Sequence, residues 1–322
     1  MANRIKEKYM AGKRYFDYPM LFLVIFLICF GLVMIYSTSS YKSTVTYGNS
    51  YHWLLRQAVA IVLGAVAMVV CCKLDYRIIK SEKVGNGCYW ASIVLLVLVL
   101  IIGAAKKGAV RWISIAGFQF QPSEVSKILV VIYLANRLSA NAHKIRTFKD
   151  SIVIVLPTVP IIALIVTQNL STALVVCSMI GVMLFVVSPK MKELMLTAGG
   201  GIILLFVYLL TANSYRNERV QIWLHPESHK KGFQTMQALY AIGSGGIFGK
   251  GLGQSMQKMG FIPESHNDMI FSIICEELGL FGAVCLIFVF VALIFRMLLI
   301  ALNTEDLFGS LIVIGFMTHI AI

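Results

Sequence analysis

The sequence predicts an all-α protein, a polytopic bundle of transmembrane helices, and three observations support this class. Hydrophobic residues make up 58% of the 322 residues, and charged residues make up only 13%. Several apolar runs reach the roughly 20 residues that cross a hydrocarbon core of about 30 Å. The runs lack the alternating pattern that a membrane barrel needs, so helices are the expected spanning elements.

The apolar runs predict about nine spans. Residues 19–36 follow a basic stretch, but no convincing small-residue cleavage site comes after them, which favours an uncleaved first span over a signal peptide. Residues 151–187 are too long for one span, so we expect a tight turn near Gln168. The nine runs are 19–36, 54–72, 89–104, 124–137, 151–167, 171–187, 194–212, 269–295 and 306–322.

Lysine and arginine residues set the expected orientation, because positively charged short loops stay in the cytoplasm. The majority of the 28 such residues fall on the side of the N-terminus, which is therefore predicted to be cytoplasmic. The large hydrophilic segment 213–268, between spans seven and eight, is then extracytoplasmic, together with residues 105–123. Within the large segment, the spacing of Phe233, Met236 and Tyr240 predicts a short helix at the interface.

The net charge of +13 is spread among loops, and no nucleic-acid motif is present, so we expect no nucleic-acid partner. Anionic headgroups of membrane lipids are the expected counter-charge. The seven cysteines lie in or beside apolar runs without paired metal spacing. They are interpreted as small hydrophobic residues and imply no disulfide framework.

Ionisable residues cluster where the segment 213–268, here called the large loop, enters the eighth span. Glu264, His266 and Asp268 come directly before the apolar run, and Glu276 and Glu277 follow about 12 Å further along the helix. At a helix start, Asp268 can serve as an N-cap or as a base. Ionisable groups at membrane depth cost free energy and usually have a function, so this cluster is a candidate functional site.

Six glycines lie between Gly243 and Gly253. Backbone without side chains can bring its N–H groups close to phosphate oxygens, with Lys250 and Lys258 supplying positive charge. A nucleotide-binding P-loop is disfavoured, because Gly251 stands where serine or threonine is needed. A flexible turn that binds nothing is the alternative.

Two further sets of residues precede or begin the fourth span. Glu124 and Lys127 are three residues apart, so they can pair on one helix face, and a structural role is the alternative to a functional one. Arg111 and Trp112 combine a guanidinium fork with an aromatic ring suited to the headgroup level, where they serve either substrate binding or anchoring.

These residues resemble the SEDS family, whose members include FtsW, RodA and SpoVE. The resemblance extends from the first span to the end of the chain and leans to the FtsW and SpoVE branch. It rests on Gly108–Ile113, Gln121–Glu124 with Lys127, Ala241–Gly246, Gly249–Gly253, Gln257–Lys258, Ile262–His266, Asp268 and Glu276–Gly279.

The resemblance implies a single SEDS-type membrane domain over 1–322, in a family with ten transmembrane helices. The chain ends inside the ninth span, so it is expected to be incomplete at its C-terminus. One departure is Gln168–Thr172, where the family usually has an acid and a glycine. The resemblance further implies a role in cell wall biogenesis, cell shape or cell division, without distinguishing division, elongation and sporulation.

The activity that the resemblance implies is polymerisation of lipid II into glycan strands outside the membrane, beside a class B penicillin-binding protein. Asp268 is then the general base, and polyprenyl pyrophosphate is the leaving group. A divalent cation, Mg²⁺ or Mn²⁺, is the only cofactor considered. A lipid II flippase and a non-catalytic scaffold are the alternatives. The substrate-binding candidates are Arg111, Lys250, Lys258, Ser255, Glu264 and His266, and Glu124 with Lys127 is implied to be required.

Overall fold

A computed structural model describes residues 16–106, 109–115, 118–145, 147–188, 193, 199, 221–229, 232–263 and 265–322. Within these ranges the chain is predominantly helical, and six helical segments are long and apolar enough to cross a membrane. The predicted seventh span, 194–212, falls almost entirely outside the described residues. The number of spans therefore stays a prediction.

The described helices follow the predicted apolar runs. The first is capped by Asp17, whose carboxylate accepts a hydrogen bond from the N–H of Met20 at 2.8 Å and pairs with Arg296 at 2.6 Å. The helices are α1 Tyr18–Tyr47, α2 His52–Lys73, α3 Glu82–Ile102, α4 Pro122–Asn141, α5 Phe148–Val155, α6 Val159–Gln168, α7 Leu170–Val187, α8 Phe233–Ser244, α9 Ile270–Asn303 and α10 Leu307–Ala321.

The turn expected near Gln168 is confirmed. Helix α6 ends at Gln168 and α7 begins at Leu170. The side chain of Asn169 between them accepts hydrogen bonds from the N–H groups of Ser171 and Thr172, so it caps α7. The short helix expected in the large loop is α8, which contains Phe233, Met236 and Tyr240 as the spacing predicted.

A small antiparallel sheet lies between α3 and α4, and the all-α prediction missed it. Its strands are β1 Ala104–Lys106, β2 Ala109–Ile115 and β3 Phe118–Phe120, in the order β1-β2-β3. Ile113 faces Phe120 across the β2–β3 pair. The strands are short, and short apolar runs do not distinguish strand from helix by periodicity, which explains why the sequence reading missed them.

The chain forms two compact units. The first comprises Met1–Ile61 and Met236–Arg296, and the second comprises Val62–Thr235 and Met297–Ile322. The core of the second unit packs side chains of α3 to α7 with those of α10, including the fully buried Leu134 and Phe308. The first unit has a smaller core in which Ala241, Ile262 and Ile273 pack together.

An exposed ion pair in the second unit gives a pH prediction. The ammonium of Lys80 lies 2.6 Å from the carboxylate of Asp306, in the connection between α9 and α10. Burial raises the pKa of Asp306, but the hydrogen bond and charge of Lys80 and the N–H groups of Gly309 and Phe308 together lower it below its usual value.

A carboxyl with a lowered pKa in the folded state contributes stability above its unfolded pKa of about 3.9, and this contribution is lost as the pH falls through the folded value. We therefore expect the stability difference between wild type and Asp306→Asn to be constant above about pH 5 and to shrink below about pH 4. Because the pair is solvated, the difference stays under about 1 kcal/mol. Unfolding in detergent across this pH range measures it, and the exposed neighbour Glu305→Gln is the control.

Candidate functional site

Asp268 lies where the large loop meets the apolar helix α9. It stands two residues before the first residue of α9, and its side chain is exposed. The turn that contains Asp268 is closed by a hydrogen bond from the N–H of Ile270 to the carbonyl of Asn267 at 3.3 Å. An exposed carboxylate at this point can accept a proton from a group that approaches from water.

His266 lies close to Asp268 in sequence but is buried, with 8% of its surface exposed. Its ring packs on Trp53 with 4.9 Å between the ring centroids, and the guanidinium of Arg56 lies 5.7 Å from the centre of the same tryptophan. The hydroxyl of Ser265 donates to the carbonyl of Thr38 at 3.3 Å. These contacts attach the segment before Asp268 to α1 and α2 within the first unit.

Helix α9 is broken at Gly279. This residue has φ of 70° and ψ of −171°, a conformation that only glycine adopts readily. The carbonyls of Glu276 and Glu277 before the break accept hydrogen bonds from the N–H groups of Lys250 and Gly251, each at 2.9 Å. The glycine loop, residues 243–253, therefore supplies backbone donors to carbonyls at the end of the first half of α9.

Two glycines of this loop, Gly245 and Gly249, lie where backbone packs directly on the backbone of α9. A Cβ atom on Gly245 would overlap the carbonyl of Cys275, and one on Gly249 would overlap the carbonyl of Glu277. The sequence predicts either that the loop approaches phosphate oxygens or that it is a flexible turn that binds nothing. The structure shows a third arrangement, since the loop packs on the broken helix. Phosphate binding by this loop stays a prediction.

Lys250 and Lys258, the two candidate lysines of the large loop, both have carboxylate partners. The ammonium of Lys250 lies 2.7 Å from Glu276, and that of Lys258 lies 2.7 Å from Glu277. Both glutamates are fully buried, and Lys258 is 5% exposed. The hydroxyl of Ser255, another predicted substrate ligand, donates to Glu276. The structure brings these three predicted residues together around two glutamates, while a direct role in substrate binding stays a prediction.

Lys258 also lines a cavity of about 560 Å³ in the first unit. Tyr36, Ser37 and Tyr41 of α1 form part of one wall, and Leu252 and Met259 of the large loop contribute to the lining. The lysine ammonium donates to the hydroxyl of Ser37 at 3.0 Å. The cavity is thus bounded by a membrane helix and by the loop that leads to Asp268.

The remaining predicted residues lie elsewhere in the chain. Lys127 and Glu124 pair at 2.9 Å on α4, as their spacing indicated, with the lysine side chain 8% exposed and the glutamate 52% exposed. Arg111 belongs to β2, and the structure does not describe its side chain. Glu264 lies outside the described residues. The functional requirement for these residues stays a prediction.

Metal binding gains no support from side-chain positions. Among the described residues, no group of three or more His, Cys, Asp or Glu side chains is arranged to hold a metal ion. The two buried glutamates each face a lysine ammonium, which already supplies a positive partner. The expectation of a divalent cation stays a prediction.

The sequence marks Glu276 and Glu277 as ionisable residues at membrane depth but does not predict their partners. The available signal was their position in an apolar run, because a buried carboxylate needs a partner of opposite charge. Ser37 was missed entirely. Its hydroxyl donates to both oxygens of Glu277 at 2.7 Å, across 240 positions of sequence, and nothing in its local sequence marks it.

Comparisons with known proteins give one family over nearly the whole chain. Residues 18–322 match the family of cell cycle proteins that comprises FtsW, RodA and SpoVE. A probable peptidoglycan glycosyltransferase FtsW of Geobacter metallireducens is 36% identical over 319 residues, covering 95% of this chain and 83% of that protein. Stage V sporulation protein E of Bacillus subtilis is 34% identical, covering 95% and 84%.

Two solved structures have folds that are similar over 95% of this chain. One is a chain from a peptidoglycan synthase complex that coordinates polymerization and crosslinking. It has a TM-score of 0.77 and 29% identity, covering 95% of this chain and 84% of that one. The rod shape determining protein RodA of Thermus thermophilus has a TM-score of 0.67 and 26% identity, covering 95% and 82%.

Proposed function

Because this chain belongs to the FtsW, RodA and SpoVE family of cell cycle proteins, we propose that it is a peptidoglycan glycosyltransferase of the cytoplasmic membrane that polymerises lipid II on the outer face, with Asp268 as general base. The proposal takes the activity from relatives named as such glycosyltransferases. The observation that carries the role of Asp268 is its exposed carboxylate at the start of an apolar helix.

In the proposed reaction, the 4-hydroxyl of the acceptor sugar attacks the anomeric carbon of the donor. Asp268 accepts the hydroxyl proton as the new glycosidic bond forms, and the bond to polyprenyl pyrophosphate breaks with its electron pair leaving on the diphosphate. Pyrophosphate leaves readily, so no protonating acid is needed. One base suits a single displacement with inversion, since a second carboxylate is needed for a covalent intermediate or a poor leaving group.

The location of Asp268 suits this substrate. Lipid II keeps its polyprenyl tail in hydrocarbon while its sugars lie in water, so the reacting hydroxyl is held near the boundary. Asp268 is exposed, and the apolar helix α9 begins two residues later. A base at such a boundary can reach a sugar whose anchor stays in the membrane.

A lipid II flippase is the second candidate function. Transport favours polar groups accessible along a path through the bilayer, often in broken helices. Helix α9 is broken, which favours this candidate, but the glutamates beside the break are fully buried and paired with lysines. This pairing supports a structural role for the break, whereas Asp268 is an exposed acid at the start of α9, which favours polymerisation.

The test uses vesicles that contain the purified protein, lipid II and a class B penicillin-binding protein, the partner class that we propose from the similarity to a polymerising and crosslinking complex. We expect glycan strands to form in the wild type. A parallel assay measures lipid II transfer between leaflets. Transfer without strand formation would contradict the proposal and favour the flippase, whereas neither activity would favour a scaffold.

A further inference from the structure

Two buried carboxylates in α9 have no step in the proposed reaction. Glu276 and Glu277 are fully buried in a helix of mainly apolar residues. Removing a carboxylate from water is costly, and the cost is compensated only by a close positive partner and further hydrogen bonds. Lys250 and Lys258 provide those partners, each at 2.7 Å.

Additional donors complete each pair. Glu276 also accepts from the hydroxyl of Ser255 and from the N–H of Met256 at 3.3 Å. Glu277 accepts from Ser37 of α1. The pairs Lys250–Glu276 and Lys258–Glu277, here called the ionic clamp, therefore join the large loop to α9, and Ser37 joins the second pair to α1.

The large loop is therefore attached to α9 at two places along the helix. The loop contacts α9 at Glu276 and Glu277, then returns along residues 251–269 to the start of the same helix. Between these ends, Ile262 lies in the small core, and the carbonyl of Pro263 accepts from the ammonium of Lys42 at 2.6 Å. Asp268 lies at the end of this segment, two residues before α9 begins.

We propose that Lys250 and Lys258 are positioning residues, which fix the loop on the broken helix and so hold Asp268 at the reacting hydroxyl. This inference rests on the proposed function, because it deepens the account of the same site. It replaces the expectation that these ammonium groups bind the diphosphate of the substrate. A base held away from its productive position loses activity steeply, by about 100-fold for a shift near 1 Å.

The two roles predict opposite behaviour in a double variant. If Lys258 binds the diphosphate, its loss cannot be repaired by changing Glu277, because the substrate still lacks a cation. If Lys258 neutralises Glu277, the damage in Lys258→Met comes from a buried carboxylate without its partner. Glu277→Gln removes that charge and can still accept a hydrogen bond from Ser37.

The experiment measures polymer formation at varied lipid II for Lys258→Met, Glu277→Gln and the double variant. We expect each single variant to lower kcat about 100-fold with little change in KM. We expect the double variant to recover to within about tenfold of wild type. The exposed Lys83→Met is the control for loss of one lysine and keeps wild-type kinetics.

A folded double variant as inactive as Lys258→Met would overturn the inference. If Lys258→Met or the double variant fails to fold, Glu277→Gln alone decides, since unchanged kcat in a protein that keeps Lys258 would equally overturn the inference. Asp268→Asn is measured alongside. Its retained activity would contradict the base assignment whatever the clamp variants do, whereas its inactivity together with an inactive double variant would contradict the clamp alone.

Discussion

Asp268→Asn is expected to lower glycan polymerisation steeply while leaving the protein folded and able to bind the proposed partner. Asparagine has nearly the same shape but does not accept the hydroxyl proton, so the loss is about 10²- to 10⁴-fold, the usual contribution of a general base. The side chain is exposed, and exposed substitutions of this kind change stability by less than about 0.5 kcal/mol. The readout is strand length and rate in vesicles with lipid II and the partner protein.

Glu305→Gln supplies the matched control, because it also removes one exposed carboxylate but lies between α9 and α10. It is expected to polymerise normally. Asp268→Glu adds a further test, since it keeps the base but extends it by one methylene, and we expect partial activity. Wild-type polymerisation by Asp268→Asn would show that another group takes the proton.

Gly279→Ala is expected to produce a large loss of stability in the first unit. Gly279 adopts φ of 70° with ψ of −171°, a region that costs other residues about 1 to 3 kcal/mol. A Cβ atom there would also overlap the backbone of Gly249 and Ile247. Because both contacts are with backbone, neither can move aside cheaply, and the total loss should exceed about 3 kcal/mol.

Gly243→Ala is the matched control, because it lies in α8 and a Cβ atom there would meet nothing within 4 Å. Alanine at such a helical position is expected to be neutral or to stabilise by up to about 1 kcal/mol. Thermal unfolding in detergent compares the two variants. Equal melting temperatures for Gly279→Ala and wild type would mean that the loop does not pack on the break as described.

Local patterns were sufficient for much of the fold. Apolar run lengths gave the described spans, the excess length of 151–187 gave the turn at Gln168, and the three-residue spacing of Glu124 and Lys127 gave their ion pair. Helix α8 followed from the spacing of apolar residues in the large loop. Each of these features depends on residues close in sequence, which is why periodicity and length indicate them.

The contacts that organise the candidate site depend on residues far apart in sequence. Ser37 meets Glu277 across 240 positions, and Lys250 meets Glu276 across 26. The glycines beside these lysines in the sequence favour a role as substrate ligands, and no local pattern reveals the glutamate partners. The exposure of Asp268 likewise depends on how the loop returns to α9 and could be established only from the structure.

The central claim, that the carboxylate of Asp268 takes the proton, is tested most directly by chemical rescue of Asp268→Ala. This variant removes the carboxylate and leaves space at an exposed position, which formate can enter from water. The account predicts negligible strand formation in plain buffer and a rate that rises with formate concentration, with no such rise in wild type. A rate that formate does not change, or full activity in plain buffer, would contradict it.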